Sequence, residues 1–221
     1  MLNLLKRPLT LFAGVGLLSG ALLAGGCNPP KYIAYNSQFG DWTAQVPWGW
    51  EVYVDQQGED FTNYTFVGPF DRAFFNGVPS LSVRWYRTNR SLSLRDGSYE
   101  SYASADDYIR QTLAAVYGSD AKLVQPVHDI PVSGWGGRHF IVKSVAEVPE
   151  SYTFGVSIEP GTNRHGVVRM HEYAIVPMDT GFYVLIYPAT EQGYDHHNKK
   201  FNNLVHTFIV KTDGPGGENL R

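Results

Sequence analysis

Apolar and polar residues alternate in several short segments of the chain, and this alternation is typical of half-buried β-strands. Residues 42–46 and 50–54 follow the pattern, and the Pro47-Trp48-Gly49 sequence between them predicts a tight corner. Residues 61–67 and 81–86 predict two more strands. The first part of the chain is therefore predicted to consist of short strands.

Two segments show the spacing of an amphipathic helix instead. The run after Ser104 repeats apolar residues every three or four positions and ends at Gly118. It predicts a capped helix of about twelve residues. Residues 195–208 repeat the spacing through Phe201 and Phe208, which predicts a C-terminal helix that packs on the sheet.

The rest of the pattern predicts antiparallel hairpins. One joins residues 122–132 to 138–145 through the glycine-rich segment 133–137, and another joins 167–176 to 182–187. Hairpins with one central and one C-terminal helix predict an α+β fold with a mostly antiparallel sheet.

The N-terminus has the features of an export signal. Lys6 and Arg7 precede an uncharged apolar stretch, and small residues lead directly to Cys27. The segment resembles a bacterial lipoprotein signal, in which this cysteine becomes the lipidated N-terminus. An ordinary secretory signal with a coincidental cysteine and an uncleaved anchor helix are the alternatives. Asn28, in place of an aspartate, favours the outer membrane, facing the periplasm, in a Gram-negative cell.

These features predict the organisation of the chain. Residues 1–26 form the signal peptide, 27–38 the lipidated cysteine and a spacer, 39–210 one folded domain, and 211–221 a disordered tail. Acyl chains on Cys27 would attach the domain durably to a membrane.

The charge of the chain and its motifs limit the classes of function that the sequence supports. The 221 residues include 18 Lys and Arg against 21 Asp and Glu, a net charge of −3, which argues against nucleic-acid binding. The sequence contains neither a Gly-x-Ser-x-Gly elbow nor a phosphate-binding loop. No catalytic residue and no cofactor are predicted. Carboxylates such as Asp106, Asp107 and Glu172 could act as acid and base only if the fold brought them together.

The histidines near the C-terminus invite a metal hypothesis. Adjacent residues on a helix point about 100 degrees apart, so His196 and His197 lack the spacing of a strong site even with His206 or His171 nearby. We predict no metal site. His196 is expected at the surface and His197 half-buried.

The most suggestive surface feature is an arginine-rich segment in an otherwise acidic domain. Arginine beside aromatic rings is the composition of interface hot spots. The alternative is a solvated loop whose arginine stems cover apolar surface. The predicted partner-binding residues are Arg84, Trp85, Tyr86, Arg87, Arg90 and Arg95.

Four short motifs carry a family resemblance. The corner at 46–50, the helix start at 104–109, and the ending formed by 182–187 and 201–208 together resemble the PsbP and Mog-type superfamily. The resemblance covers roughly residues 39–210. It implies an α/β/α sandwich without a shared active site, in a group whose members mostly bind, stabilise or help assemble other proteins.

The sequence thus predicts a membrane-tethered, non-enzymatic accessory or binding lipoprotein that acts on an envelope or membrane protein complex. Its partners would be the membrane, through the acyl chains, and an envelope protein. An envelope enzyme whose acid and base residues meet only in the fold, and a small-molecule or metal carrier, remain as alternatives.

Overall fold

A computed structural model describes residues 29–94, 97–118, 121–148, 154–155, 157–158, 165–218 and 220. The described residues from Lys31 onward form one compact unit. The strands are β1 Tyr32–Asn36, β2 Trp42–Pro47, β3 Glu51–Gln57, β4 Phe61–Val67, β5 Ser80–Arg87, β6 Leu92–Ser93, β7 Tyr99–Glu100, β8 Lys122–Val132, β9 Trp135–Glu147, β10 Ser157–Ile158, β11 His165–Pro177, β12 Gly181–Thr190 and β13 Ile209–Val210. The helices are α1 Ala105–Gln111, which continues as a π-helical turn over Thr112–Tyr117, and α2 Tyr194–Thr207.

In the part of the chain that the structure describes, the main sheet has eight strands, of which seven follow the order β3-β4-β5-β12-β11-β9-β8 and the eighth, β10, pairs with β11. A smaller sheet has the order β1-β2-β13, and β6 pairs with β7. Every strand pair among the described residues is antiparallel. The predicted α+β class with a mostly antiparallel sheet is confirmed.

Helices cover both faces of the main sheet, because its central strands bury side chains on both sides. On β12, Tyr183, Leu185 and Tyr187 belong to one core, which also contains Phe201 and Leu204 of α2. Full burial of each such side chain contributes about 1.5–3 kcal/mol. The intervening β12 residues, Phe182, Val184 and Ile186, belong to a second core, which α1 covers through Tyr108 and Ile109.

Local signals explain the elements that the sequence predicted well. Ser104 caps α1, with its side chain accepting a hydrogen bond from the backbone N–H of Asp107 at 3.1 Å. Ser133 and Gly134 both have positive φ, as a two-residue hairpin turn between β8 and β9 requires.

The corner after β2 does not make a hairpin. Strand β2 pairs with β1 and β13, whereas β3 pairs with β4 in the other sheet. The expected spacer is also shorter than predicted, because the strand that begins at Tyr32 pairs with β2. Pro47-Trp48-Gly49 is thus a crossing point between two sheets.

The prediction of a disordered tail at 211–221 is wrong for the described residues up to 218. The backbone N–H groups of Lys211 and Thr212 both donate to the carbonyl of Asp41. A Cβ on Gly214 would lie 2.2 Å from the ring of Trp85, so this glycine packs directly on a buried side chain. The tail therefore closes part of the first core.

Candidate functional site

Strand β3 forms one edge of the main sheet and is exposed along its whole length. Val52, Tyr53 and Val54 are 37, 58 and 42% exposed. The ladder to β4 is regular from Glu51 to Gln57, without a bulge. An edge strand of this kind directs alternate backbone N–H and C=O groups away from its sheet, here along a regular, partly apolar strand.

The opposite edge, β8, carries the features that normally block such pairing. Pro126 and Pro131 lie within the strand and lack an N–H. The register to β9 shifts twice between Leu123 and His128. Proline and bulges are two of the means by which natural sheets protect their edges. The two edges of one sheet therefore differ, and β3 is the open one.

Two of the predicted partner-binding arginines lie beside the end of β3. The loop that follows the strand carries Glu59 and Asp60. The Arg87 Nη1 atom lies 3.8 Å from Glu59 Oε2 and 3.4 Å from Asp60 Oδ1, and Arg90 Nε lies 3.7 Å from Asp60 Oδ1. These pairs neutralise much of the positive charge that makes the segment unusual in the sequence. A partner-binding role for Arg87 and Arg90 stays a prediction.

The expectation that Trp85 and Tyr86 form an exposed contact is wrong. Both rings are buried, with exposures of 1 and 2%. They lie on β5, a central strand whose successive side chains enter opposite cores. Arg84 faces the second core, where its Nη1 donates to Tyr86 Oη at 3.4 Å, and it lines a groove of about 430 Å³ with Asn63.

Two predicted sites lie outside the described residues. Cys27 and the signal peptide belong to the first 28 residues, and Arg95 follows the described segment that ends at 94. Lipidation at Cys27 and a contact through Arg95 therefore stay predictions. Among the described residues, no helix combines the length and apolar character needed to span a membrane.

An aspartate joins the two adjacent histidines of α2. His196 Nδ1 lies 2.7 Å from Asp71 Oδ2, and His197 Nε2 lies 3.3 Å from the same oxygen. His196 is half exposed, as expected, whereas His197 is more deeply buried than the half-buried position expected for it. Burial alone would raise the pKa of Asp71, but hydrogen bonds from His196 and from the Ala73 N–H outweigh it, so the pKa is lowered. The described residues contain no group of three or more potential metal ligands arranged to hold an ion, and the expected absence of a metal site stays a prediction.

A buried carboxylate lies beneath the start of α2. Glu172 accepts hydrogen bonds from Tyr194 Oη at 2.6 Å and from His139 Nε2 at 2.8 Å. The other two carboxylates considered in the sequence lie elsewhere. Asp107 accepts from the Ala103 N–H at the start of α1, and Asp106 pairs with an arginine. The candidate acids are therefore not brought together.

Sequence reasoning missed the open edge. Residues 50–54 are a predicted strand, but alternation of apolar and polar residues does not show whether a strand is central or terminal. The available signal is composition. The sequence of β3, Glu-Val-Tyr-Val-Asp-Gln-Gln, contains neither proline nor lysine, whereas β8 contains two prolines.

Comparison with known proteins shows similarity in structure. No family model matches the chain, and no curated protein has a significantly similar sequence. Cyanobacterial PsbP from Synechocystis sp. PCC 6803 is 12% identical, with a TM-score of 0.48 over 84% of this chain and 96% of that one. The Ran-binding protein Mog1p of Saccharomyces cerevisiae is 12% identical, with a TM-score of 0.44 over 81% and 95%. These two structures are a PsbP and a Mog-type protein, the two kinds of protein that the sequence motifs resemble. The similarity assigns no role to any residue of this chain.

Proposed function

We propose that the protein is a membrane-tethered accessory domain of the bacterial envelope, and that it binds a partner protein through strand β3. An extended segment of the partner would add to the main sheet as a further strand. One observation carries this proposal. All seven residues of β3 are exposed on a regular edge without proline or a bulge, and Gln57, at its end, contacts Ser93 of β6. Strand addition to a regular, exposed edge is a recurring mode of peptide recognition.

The charge of the chain indicates what kind of segment fits. Glu51 places a carboxyl group at the start of β3. After removal of residues 1–26, the chain carries 16 basic and 21 acidic residues. A second copy of the chain would bring like charges onto one short ladder, which disfavours self-pairing. The favoured occupant is therefore an extended segment of another polypeptide that carries lysine or arginine.

The arginines beside β3 fit the rim of such an interface. Arg87 is 28% and Arg90 59% exposed at the side chain, next to the loop that follows β3. Polar groups at a rim contribute register and association rate more than affinity. Because the favoured segment is basic, replacing both by serine should speed binding, and most at low salt, where screening is least.

The proposal of a membrane tether is based on the sequence around Cys27. A lipidated Cys27 would confine the domain to the membrane surface and raise its effective concentration at a membrane-bound partner. In the Cys27→Ser variant the domain should appear in the soluble fraction or remain unprocessed. Cleavage and membrane attachment as in wild type would contradict the tether without touching the role of β3.

A photo-crosslinking residue tests the role of β3 in native envelopes. It is placed at Tyr53 on β3 or, as a control, at Val124 on β8, which is 51% exposed. We expect a discrete adduct from position 53 and none from 124. The adduct should disappear when Val52 and Val54 are both replaced by lysine, because lysine on an edge disfavours strand addition. Equal adducts from both positions, or an adduct that survives the lysines, would refute the role of β3.

A further inference from the structure

A cavity of about 480 Å³ lies on the α1 face of the main sheet, away from β3. This volume is typical of small-molecule sites. Most of its wall is apolar. The wall includes Phe75, Val78, Ala146, Val148, Val167 and Pro188.

The cavity exists because the α1 layer is too short for the sheet. Residues 105–117 of the helix and π-turn span about 20 Å, whereas a strand as long as β11 spans about 43 Å. Tyr173 and Ile175 of β11 are covered by this layer. Arg169 and His171, on the same face of β11, instead line the cavity with Val167.

Arg169 supplies a positive charge at the cavity. Its Nε donates to Ser144 Oγ at 3.1 Å, its Nη2 donates to the Val116 carbonyl at 3.2 Å, and its guanidinium lies 5.0 Å from the ring centre of Tyr117. Among the described residues, no carboxylate lies within ion-pair distance of Arg169. The guanidinium is thus held in place by neutral groups while its charge has no described counterion.

His171 adds a second polar group. Tyr117 Oη lies 2.6 Å from His171 Nδ1 and 2.5 Å from Tyr173 Oη. Burial, followed by the charge of Arg169, lowers the pKa of His171 to about 3, so the ring is neutral at physiological pH. If Tyr173 donates to Tyr117 and Tyr117 to Nδ1, both hydroxyl protons are used. The single N–H of the ring is then on Nε2, and Nδ1 is the acceptor.

We propose that this cavity binds an amphipathic carboxylate, a molecule with one carboxylate group and an aliphatic body. The carboxylate would accept hydrogen bonds from the Arg169 guanidinium and from the His171 Nε2–H, and the aliphatic body would lie against the apolar wall. Glu147 also lines the cavity, but from an exposed position. The anionic end is therefore expected at the more buried Arg169 and His171.

Calorimetry with three ten-carbon probes tests the proposal on the purified domain, below the concentration at which each probe forms micelles. The probes are decanoate, decanol and decyltrimethylammonium, which share an aliphatic body and differ in charge. We expect one decanoate per chain, with affinity at least about tenfold above that of decanol and no binding of the cation. This ratio corresponds to one charge-assisted interaction. Failure of decanoate to bind, or equal affinity for decanoate and decanol, would overturn the proposal.

Substitutions distinguish the contribution of the Arg169 charge to binding from the contribution of the apolar wall. Arg169→Met should abolish the preference for decanoate over decanol, while Arg110→Met, at a 79% exposed arginine of α1, should retain it. Ala146→Phe fills the cavity and leaves both polar groups in place, so it should abolish binding of both probes even if Arg169→Met fails to fold. Decanoate bound by folded Ala146→Phe as tightly as by wild type would place the site elsewhere. The lysine substitutions on β3 should leave decanoate binding unchanged.

Discussion

Removing the hydroxyl of Tyr194 is expected to destabilise the domain, because that hydroxyl is a donor to a buried carboxylate. Tyr194 Oη lies 2.6 Å from Glu172 Oε2. The Glu172 side chain is only 4% exposed, and its other oxygen accepts from His139. In Tyr194→Phe, Oε2 would lose its donor in a place from which water is largely excluded. Hydrogen bonds to charged groups contribute about 1.5–3 kcal/mol to stability.

The expected loss can be measured by thermal unfolding. For a domain of this size, about 1.5–3 kcal/mol corresponds to a decrease in Tm of about 3–12 °C. Tyr53→Phe is the matched control, because Tyr53 Oη donates to Glu51 Oε2 at 2.7 Å on the exposed strand β3. Water replaces that donor, so Tyr53→Phe should leave Tm unchanged. Equal effects of the two substitutions, or no effect of Tyr194→Phe, would refute the assignment of Glu172 as a buried acceptor that depends on its donors.

Three further predictions concern the tail, the cavity and the first core. Truncation after Lys211 should lower Tm, because it removes Gly214 from the ring of Trp85; an unchanged Tm would show that the tail is dispensable. His171 has a folded pKa of about 3 and a usual value of 6.5, so the unfolded chain binds a proton between these pH values that the folded chain excludes. Stability should therefore fall as pH decreases from 6.5 toward 3, and His171→Gln should reduce that slope in denaturant titrations. Gly181→Ala should destabilise the domain, because a Cβ would lie 2.3 Å from a backbone carbonyl oxygen, and a wild-type denaturation midpoint would contradict this.

The sequence predicts elements well where a local interaction determines them. Ser104 caps α1 with its own side chain, and Ser133-Gly134 supplies the two positive φ angles of its turn. The conformation at the end of α1 depends on residues distant in the sequence. The helix widens there to a π-turn over Thr112–Tyr117. There Tyr117 reaches Tyr173 and His171 on a strand more than fifty residues later in the chain.

The errors concern features that depend on distant parts of the chain. Trp85 and Tyr86 are adjacent, and a strand places adjacent side chains on opposite faces. Whether both faces are covered depends on α1 and α2, which follow β5 in the sequence. The same limit applies to the corner after β2, where the pairing of β13 with β2 separates two strands that sequence patterns predict to be neighbours. Arg87 and Arg90 form an unusual cluster of positive charge in the sequence, but in the fold Asp60 lies beside both of them.

Residue-resolved amide hydrogen exchange tests the central claim, the addition of a partner strand to β3, most directly. The purified domain is compared alone and with the protein that crosslinks at position 53. In a strand paired on one side, alternate backbone N–H groups point outward, so strand addition should slow the exchange of every second amide between Glu51 and Gln57. Exchange along β8 should not change. Binding without added protection in β3, or protection without the two-residue period, would contradict the account.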